Sequence, residues 1–109
     1  MEFSAVYNNQ TLRLYLRGEI DEHSVVEIRR KADEAIERYA MARAAIFELG
    51  GVSFMDSTGI GFLIGRYKKL QRFGIAAYID NPDPTADKIL MMSGVYTLIP
   101  RLDVQAEVR

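Results

Sequence analysis

Apolar and polar residues alternate with a period of two over residues 11–18, which is typical of a β-strand. Residues 3–7 form a short β-favouring run, and residues 8–10 between the two segments have the composition of a turn. Together these segments predict a β-hairpin that adds an antiparallel edge to a sheet. One face of its second strand is expected to carry Leu12, Leu14 and Leu16.

Three later segments predict helices, because their apolar residues recur at three- and four-residue intervals. The first is expected to begin with a capping box formed by Ser24 and Glu27. The third has Asp83 as its cap and Pro84 at its first position. The predicted helices run from Ser24 to about Tyr39, from near Ser57 to Gly74, and from Pro84 to Gly94.

Short apolar runs between the helices predict further strands. Residues 44–49, closed by Gly50-Gly51, and residues 75–79 have the composition of strands covered on both faces. Residues 95–99 fit a last strand or an extended segment, and residues 101–109 have room for the start of a fourth helix. The order β-β-α-β-α-β-α predicts a single α/β domain over residues 1–109. Its sheet would be mixed and mostly parallel, with four to five strands and three to four helices.

The composition of the chain limits the ligands it is expected to bind and the reactions it is expected to catalyse. The 109 residues include 14 basic and 15 acidic side chains, and no run of basic residues marks a nucleic-acid surface. The absence of cysteine excludes disulfides, thiolate catalysis and cysteine-ligated metal, and one histidine leaves a zinc site improbable. We therefore expect no cofactor and no metal. With no basic region before an apolar run and no apolar stretch of membrane-spanning length, the sequence predicts a cytoplasmic protein.

The second helix has an unusual surface. Opposite its expected buried stripe, Gly61, Phe62, Gly65 and Lys69 would point away from the core. Interior glycines cost about 1 kcal/mol relative to alanine in a helix, so this face predicts a docking surface with Phe62 as an apolar anchor. Alternatively, another element of the same domain covers Phe62. The expected buried stripe is Ile60, Leu63, Ile64, Tyr67 and Leu70.

The start of this helix holds more capping residues than it needs. Asp56, Ser57 and Thr58 are all able to cap it, and one of them suffices. The simplest interpretation is that Ser57 or Thr58 only caps the helix. The alternative is that a spare hydroxyl there accepts a phosphate, since backbone N–H groups and the helix dipole favour a dianion at this position.

These residues resemble a known family. Residues 53–61, Ser-Phe-Met-Asp-Ser-Thr-Gly-Ile-Gly, continued by residues 65–68, closely resemble bacterial anti-sigma factor antagonists with the STAS fold. Further matches lie at residues 18–23, 81–84 and 92–94. The resemblance implies that Ser57 is the phosphoacceptor. It also implies that the unphosphorylated chain, monomeric when free, binds an anti-sigma factor that is a serine kinase and so releases a sigma factor, nearest in type to sporulation sigma F. Phosphorylation would weaken that complex, and a metal-dependent serine phosphatase would restore it.

The resemblance also suggests a partner surface around Ser57, with Asp21 beside the phosphoacceptor. Two departures affect it: Gly50-Gly51 replaces a more polar pair and predicts a looser loop, and Glu22 stands where relatives often carry histidine. The residues expected to bind the partner are Asp21, Glu22, His23, Asp56, Thr58, Gly59, Ile60, Gly61 and Phe62.

Three other functions remain open. A nucleotide-binding enzyme is suggested by the spacing of Gly59, Gly61 and Gly65, although the third glycine comes one residue late for a dinucleotide fingerprint. Nucleophilic catalysis by Ser57 would need His23 as its base, without the Gly-x-Ser-x-Gly pattern. An antagonist of the same fold in the general stress pathway is the remaining alternative.

Overall fold

The computed structural model describes residues 1–102 and contains one four-stranded sheet, with the strands in the order β1-β2-β3-β4. The first two strands pair antiparallel, and the other neighbours pair parallel. This mixed, mostly parallel α/β sheet confirms the predicted fold class. The strands are β1 (Glu2–Asn8), β2 (Thr11–Ile20), β3 (Ala44–Met55) and β4 (Ala76–Asp80).

Within residues 1–102, three α-helices lie between and after these strands, as predicted. They are α1 (Val25–Arg38), α2 (Ser57–Arg72) and α3 (Pro84–Ser93). The segment expected to be a last strand or an extended stretch instead forms a 3₁₀ turn over Val95–Thr97. Beyond it, a parallel bridge joins Arg101 to Ile79 on β4. The fourth helix expected after residue 101 falls on residues 103–109, outside the described part of the chain.

The hairpin closes through a two-residue turn. Asn9 and Gln10 both have positive φ, 53° and 64°, as the tightest hairpin turns require. The register that follows places Leu12, Leu14 and Leu16 in the core, where at most 2% of each residue is exposed. The predicted hairpin and its buried face are both confirmed.

Helices α1 and α2 pack side by side over this apolar face. Two ion pairs join them: Arg66 Nε lies 2.8 Å from Asp33 Oδ1, and Lys69 Nζ lies 2.5 Å from Glu37 Oε2. Burial of the Arg66 side chain lowers the pKa of its guanidinium, an effect that the neighbouring Asp33 carboxylate opposes. Lys69, predicted to point outward, lies in this seam between the helices.

The expectation that strand 44–49 is covered on both faces holds only in part: Ile46 is buried on the opposite face, with 8% exposed, but that face is otherwise more polar and half-buried. Ala45, Phe47 and Leu49 are fully buried on one side of β3. On the other side, Glu48 pairs with Arg13 at 3.2 Å, and the same guanidinium nitrogen lies 3.0 Å from Asp80. An apolar run thus predicts burial on two faces only if its neighbouring strands are apolar as well.

β3 continues six residues beyond its predicted end. Residues 44–48 pair with both neighbouring strands, whereas within residues 1–102 residues 51, 52, 54 and 55 pair with β2 alone. Two irregularities in the β2–β3 register each insert an extra residue into β3, one beside Gly50 and one at Ser53. Gly50-Gly51 therefore lies inside a strand, and the expectation of a loose loop at this pair is wrong.

Candidate functional site

The predicted site residues of β2 and β3 meet at one end of the sheet. Ile20 and Met55 are partners in the parallel register, so the chain leaves both strands side by side. Neighbouring strands lie about 4.8 Å apart. The loop of residues 21–24 and the first turn of α2 therefore share one edge, which brings Asp21 to the side of the Ser57 segment.

The first turn of α2 assigns the capping role to Asp56. Its Oδ1 accepts a hydrogen bond from the Thr58 backbone N–H at 2.9 Å, and its backbone has the extended conformation of an N-cap residue. Ser57 is the first residue of the helix and is exposed. Within residues 1–102, its hydroxyl makes no hydrogen bond. Because Asp56 does the capping, the hydroxyls of Ser57 and Thr58 are both spare in this turn, and Ser57 is the exposed one whereas Thr58 is half-buried.

The neighbouring loop is fixed by Asp21 rather than by a capping box. Its carboxylate accepts hydrogen bonds from the backbone N–H groups of His23 at 3.0 Å and Ser24 at 2.9 Å. These bonds, that from Ser24 above all, hold the pKa of the Asp21 carboxyl below its ordinary value. Glu22 and His23 are thereby presented to solvent on a well-defined turn.

The predicted capping box of Ser24 and Glu27 does not form. Ser24 lacks a cap hydrogen bond to α1, because its hydroxyl donates to the Glu19 carbonyl oxygen at 2.8 Å. The Ser24 hydroxyl oxygen in turn accepts a hydrogen bond from the Asp21 backbone N–H at 3.1 Å. Glu27 pairs with Arg30 instead. The Ser24 side chain thus ties the loop to the end of β2.

Two predicted contact residues lie beneath the surface. Phe62 is only 2% exposed, so the expectation of an outward apolar anchor is wrong. Its ring meets Phe47 of β3 edge to face, with centroids 6.3 Å apart, and the Arg66 guanidinium covers it at 5.4 Å. Gly59 is also buried.

The helix is rotated relative to the expected stripe by a little less than one residue step of about 100°. Leu63 and Leu70 remain at the centre of the buried face, while Ile60, Ile64 and Tyr67 form a half-buried flank. The rotation arises because Gly59 lets the start of α2 approach the strands closely. A Cβ added there would lie 2.5 Å from Met55 Cγ and 3.2 Å from Ile20 Cγ2.

The glycines of α2 should respond to alanine in opposite directions. Gly59→Ala is expected to lower the free energy of unfolding by about 1–3 kcal/mol through overpacking. A Cβ at Gly61 meets nothing within 4 Å. Gly61→Ala should therefore raise that free energy by about 0.5–1 kcal/mol through helix propensity. Urea denaturation of the two variants measures both effects, and equal shifts would contradict the assigned packing.

Carboxylates dominate the polar groups at this edge. Glu19, Asp21, Glu22, Asp56 and Asp83 all lie in or beside its loops and helix starts, and none forms an ion pair within residues 1–102. Glu48 and Asp80 share a single cation, the Arg13 guanidinium. The exposed edge therefore carries an excess of negative charge, with His23 as its neighbouring basic side chain.

Phe54 is the surface residue that the sequence pattern missed. It follows the irregularity at Ser53, which shifts the alternation of β3, so Val52 and Met55 are buried while half of Phe54 stays exposed. Simple alternation from residue 44 does not anticipate this, because it assumes an unbroken strand. The only sequence signal was an aromatic residue within the family-like segment.

The alternative sites receive no support from this geometry. Gly59, Gly61 and Gly65 all lie inside α2, which follows β3 directly through Asp56, so they form no glycine loop for a phosphate. No side-chain hydrogen bond links His23 to Ser57 within residues 1–102. In the same range, no helix is both long and apolar enough to span a bilayer.

Residues 2–108 match the family model of the STAS domain, and the chain therefore belongs to the STAS domain family. An anti-sigma F factor antagonist of Lysinibacillus sphaericus is 37% identical over 86 residues, which cover 79% of this chain and 73% of the relative. An anti-sigma-B factor antagonist of Bacillus subtilis is 27% identical over 92 residues, covering 84% and 82%.

The fold is shared with the anti-sigma factor antagonist SpoIIAA. The structure of SpoIIAA in its unphosphorylated form matches with a TM-score of 0.77 and 29% identity, covering 98% of this chain and 93% of that one. The structure of the Bacillus cell fate determinant SpoIIAA in the phosphorylated form matches with a TM-score of 0.69 at the same identity, covering 98% and 96%. The SpoIIAA fold thus exists in a modified and an unmodified form.

Proposed function

We propose that this chain is a non-catalytic anti-sigma factor antagonist that is switched off by phosphorylation of Ser57. The observation that carries the proposal is the first turn of α2, where Asp56 performs the capping and leaves the Ser57 hydroxyl exposed and free. The family membership and the SpoIIAA structures in two phosphorylation states support the same function.

The unphosphorylated form binds an anti-sigma factor that is also a serine kinase, and this binding releases a sigma factor. Phosphorylation by that kinase separates the pair, and a metal-dependent serine phosphatase regenerates the active form in the cytoplasm. Sporulation sigma F is the proposed target, because the anti-sigma F antagonist is the more similar of the two relatives, at 37% against 27% identity.

The second candidate is the general stress pathway, which the similarity to the anti-sigma-B antagonist favours. The two pathways differ in the kinase that is bound. Purified F-type and B-type anti-sigma factors from the source organism, titrated separately by calorimetry, distinguish them. We expect the F-type protein to bind more tightly, and a preference for the B-type protein would reassign the pathway.

Phosphotransfer tests the assigned acceptor. Incubation with the cognate anti-sigma factor and ATP should add one phosphate to the wild-type chain and to Thr58→Ala, but none to Ser57→Ala. Thr58→Ala is the matched control because it removes the adjacent hydroxyl of the same turn, whose backbone N–H still binds Asp56. Mass spectrometry measures the stoichiometry. Equal modification of Ser57→Ala and wild type would reject Ser57 as the acceptor.

A further inference from the structure

A small apolar pocket opens beside the proposed phosphorylation site, between the end of β3 and the start of α3. Its volume is about 100 Å³, roughly the size of one aliphatic side chain. Phe54 and Met55 line it from β3, and Ala86 and Ile89 line it from α3. Asp83 and Thr85 form a polar rim. The pocket therefore has an apolar floor and a polar, solvent-exposed rim, as anchor sites in protein interfaces do.

The pocket exists because β3 extends beyond the end of its neighbour β4. β4 pairs with residues 44–48 only, so farther along, one edge of β3 has no strand beside it within residues 1–102. α3 crosses this region instead, and the small Ala86 leaves room between helix and strand. The extra residue at Ser53 turns Phe54 to the surface, where 50% of it is exposed.

The pocket is continuous with the proposed partner surface. Phe54 and Met55 directly precede Asp56 and Ser57 in the chain, and Ser53 lines both this pocket and the groove formed by Asp21 and His23. A partner that covers this edge therefore meets the pocket as well. The five unpaired carboxylates of this edge favour a partner that brings positive charge. Nothing basic at this edge within residues 1–102 neutralises them through an ion pair.

We propose that this pocket receives one aliphatic side chain of the anti-sigma factor, flanked on the partner by basic residues. The inference rests on the proposed function and identifies an apolar anchor for it. Phe54 takes the role that the sequence pattern gave to Phe62. Phosphate at Ser57 then adds negative charge close to the anchor. The same surface thus contains both the pocket that contributes to binding and the residue whose phosphorylation weakens binding.

Two exposed phenylalanines provide a matched test. Phe54 is 50% exposed beside Ser57, and Phe73 is 44% exposed at the far end of α2. Titration with the purified anti-sigma factor that phosphorylates the chain should show Phe54→Ser raising the dissociation constant at least about tenfold. Phe73→Ser should change it less than about twofold, and Phe54→Leu should retain most of the affinity because it keeps an apolar wall.

The outcomes separate this inference from the function on which it rests. If wild type binds and both serine variants bind equally well, the pocket is not the anchor, although the antagonist function stands. If wild type binds no anti-sigma factor, both proposals fail. Self-association of the isolated chain that depends on Phe54, seen by sedimentation velocity, would assign the pocket to a second copy and overturn the inference.

Salt tests the charge of the partner. Raising NaCl from about 50 to about 300 mM should weaken the wild-type complex several-fold, because screening reduces attraction between the carboxylate edge and a basic surface. Glu22→Gln, which removes one exposed charge from the loop, should reduce this salt dependence. Affinity that is unchanged or strengthened by salt would overturn the basic part of the proposed partner.

Discussion

Phosphorylation of Ser57 is expected to raise the dissociation constant of the complex with the anti-sigma factor about a hundredfold, which corresponds to roughly 2.8 kcal/mol. The phosphate places a dianion where the partner meets a neutral hydroxyl, on an edge that already carries five unpaired carboxylates. The proposed basic residues of the partner face these carboxylates, whereas the Ser57 hydroxyl meets a neutral, closely packed part of the partner, so a phosphate there is enclosed without a matching cation, which is strongly unfavourable. The loss of affinity therefore needs no change in the fold.

The melting temperature should move by no more than about 4 °C on phosphorylation, because a net change below 1 kcal/mol shifts a domain of this size by only a few degrees. At the start of α2, the helix dipole favours the phosphate by about 0.3–1 kcal/mol. The Asp56 carboxylate, one residue away and held by the Thr58 N–H, opposes it. Ser57 is exposed, so the dianion stays hydrated in the free protein.

Calorimetric titration of fully phosphorylated and unmodified chain measures the affinities, and differential scanning calorimetry measures the melting temperatures. Ser57→Asp supplies a partial mimic and should weaken binding in the same direction by a smaller factor, because it adds one charge instead of two. Thr58→Asp is the matched control for charge at the same turn. A melting shift far above the expected range would indicate that the switch reshapes the domain.

The elements were predictable because each is specified by local pattern. Alternation in residues 11–18 determined the buried face of β2, and Asp83 caps α3 with an accepted hydrogen bond from the Ala86 N–H at 2.8 Å, as its position before Pro84 predicted. That this turn has a spare hydroxyl followed from counting capping residues, whereas Ser57 as the acceptor came from the family resemblance. These signals come from residues close together in the chain, so the sequence alone contains them.

What escaped prediction depends on contacts between distant residues. The extra residue at Ser53 is defined only against β2, and it decides that Phe54 faces solvent. Ser24 does not form the capping box because its hydroxyl donates a hydrogen bond to the Glu19 carbonyl oxygen. The rotation of α2 depends on how closely Gly59 approaches Met55. None of these partners can be read from the spacing of apolar residues alone.

Phe62→Ala is expected to lower the free energy of unfolding by about 3–5 kcal/mol, the largest stability effect predicted for a single substitution in α2. Phe62 is 2% exposed, and its edge-to-face contact with Phe47 ties α2 to β3. Truncation would leave a cavity at this junction and remove the apolar surface beneath the Arg66 guanidinium.

Urea denaturation measures this loss, with Phe54→Ala as the matched control of the same chemical change at an exposed position. The control should cost less than about 1 kcal/mol, since half of its ring is already in water. The two variants should then reverse their order in partner binding. At low temperature and without urea, where Phe62→Ala remains folded, it should bind the anti-sigma factor nearly as tightly as wild type does. Phe54→Ala should bind it more weakly than wild type. If Phe62→Ala kept its stability and lost only the binding of the anti-sigma factor, Phe62 would be a surface anchor, as helical spacing first suggested. The rotation of α2 would then be wrong.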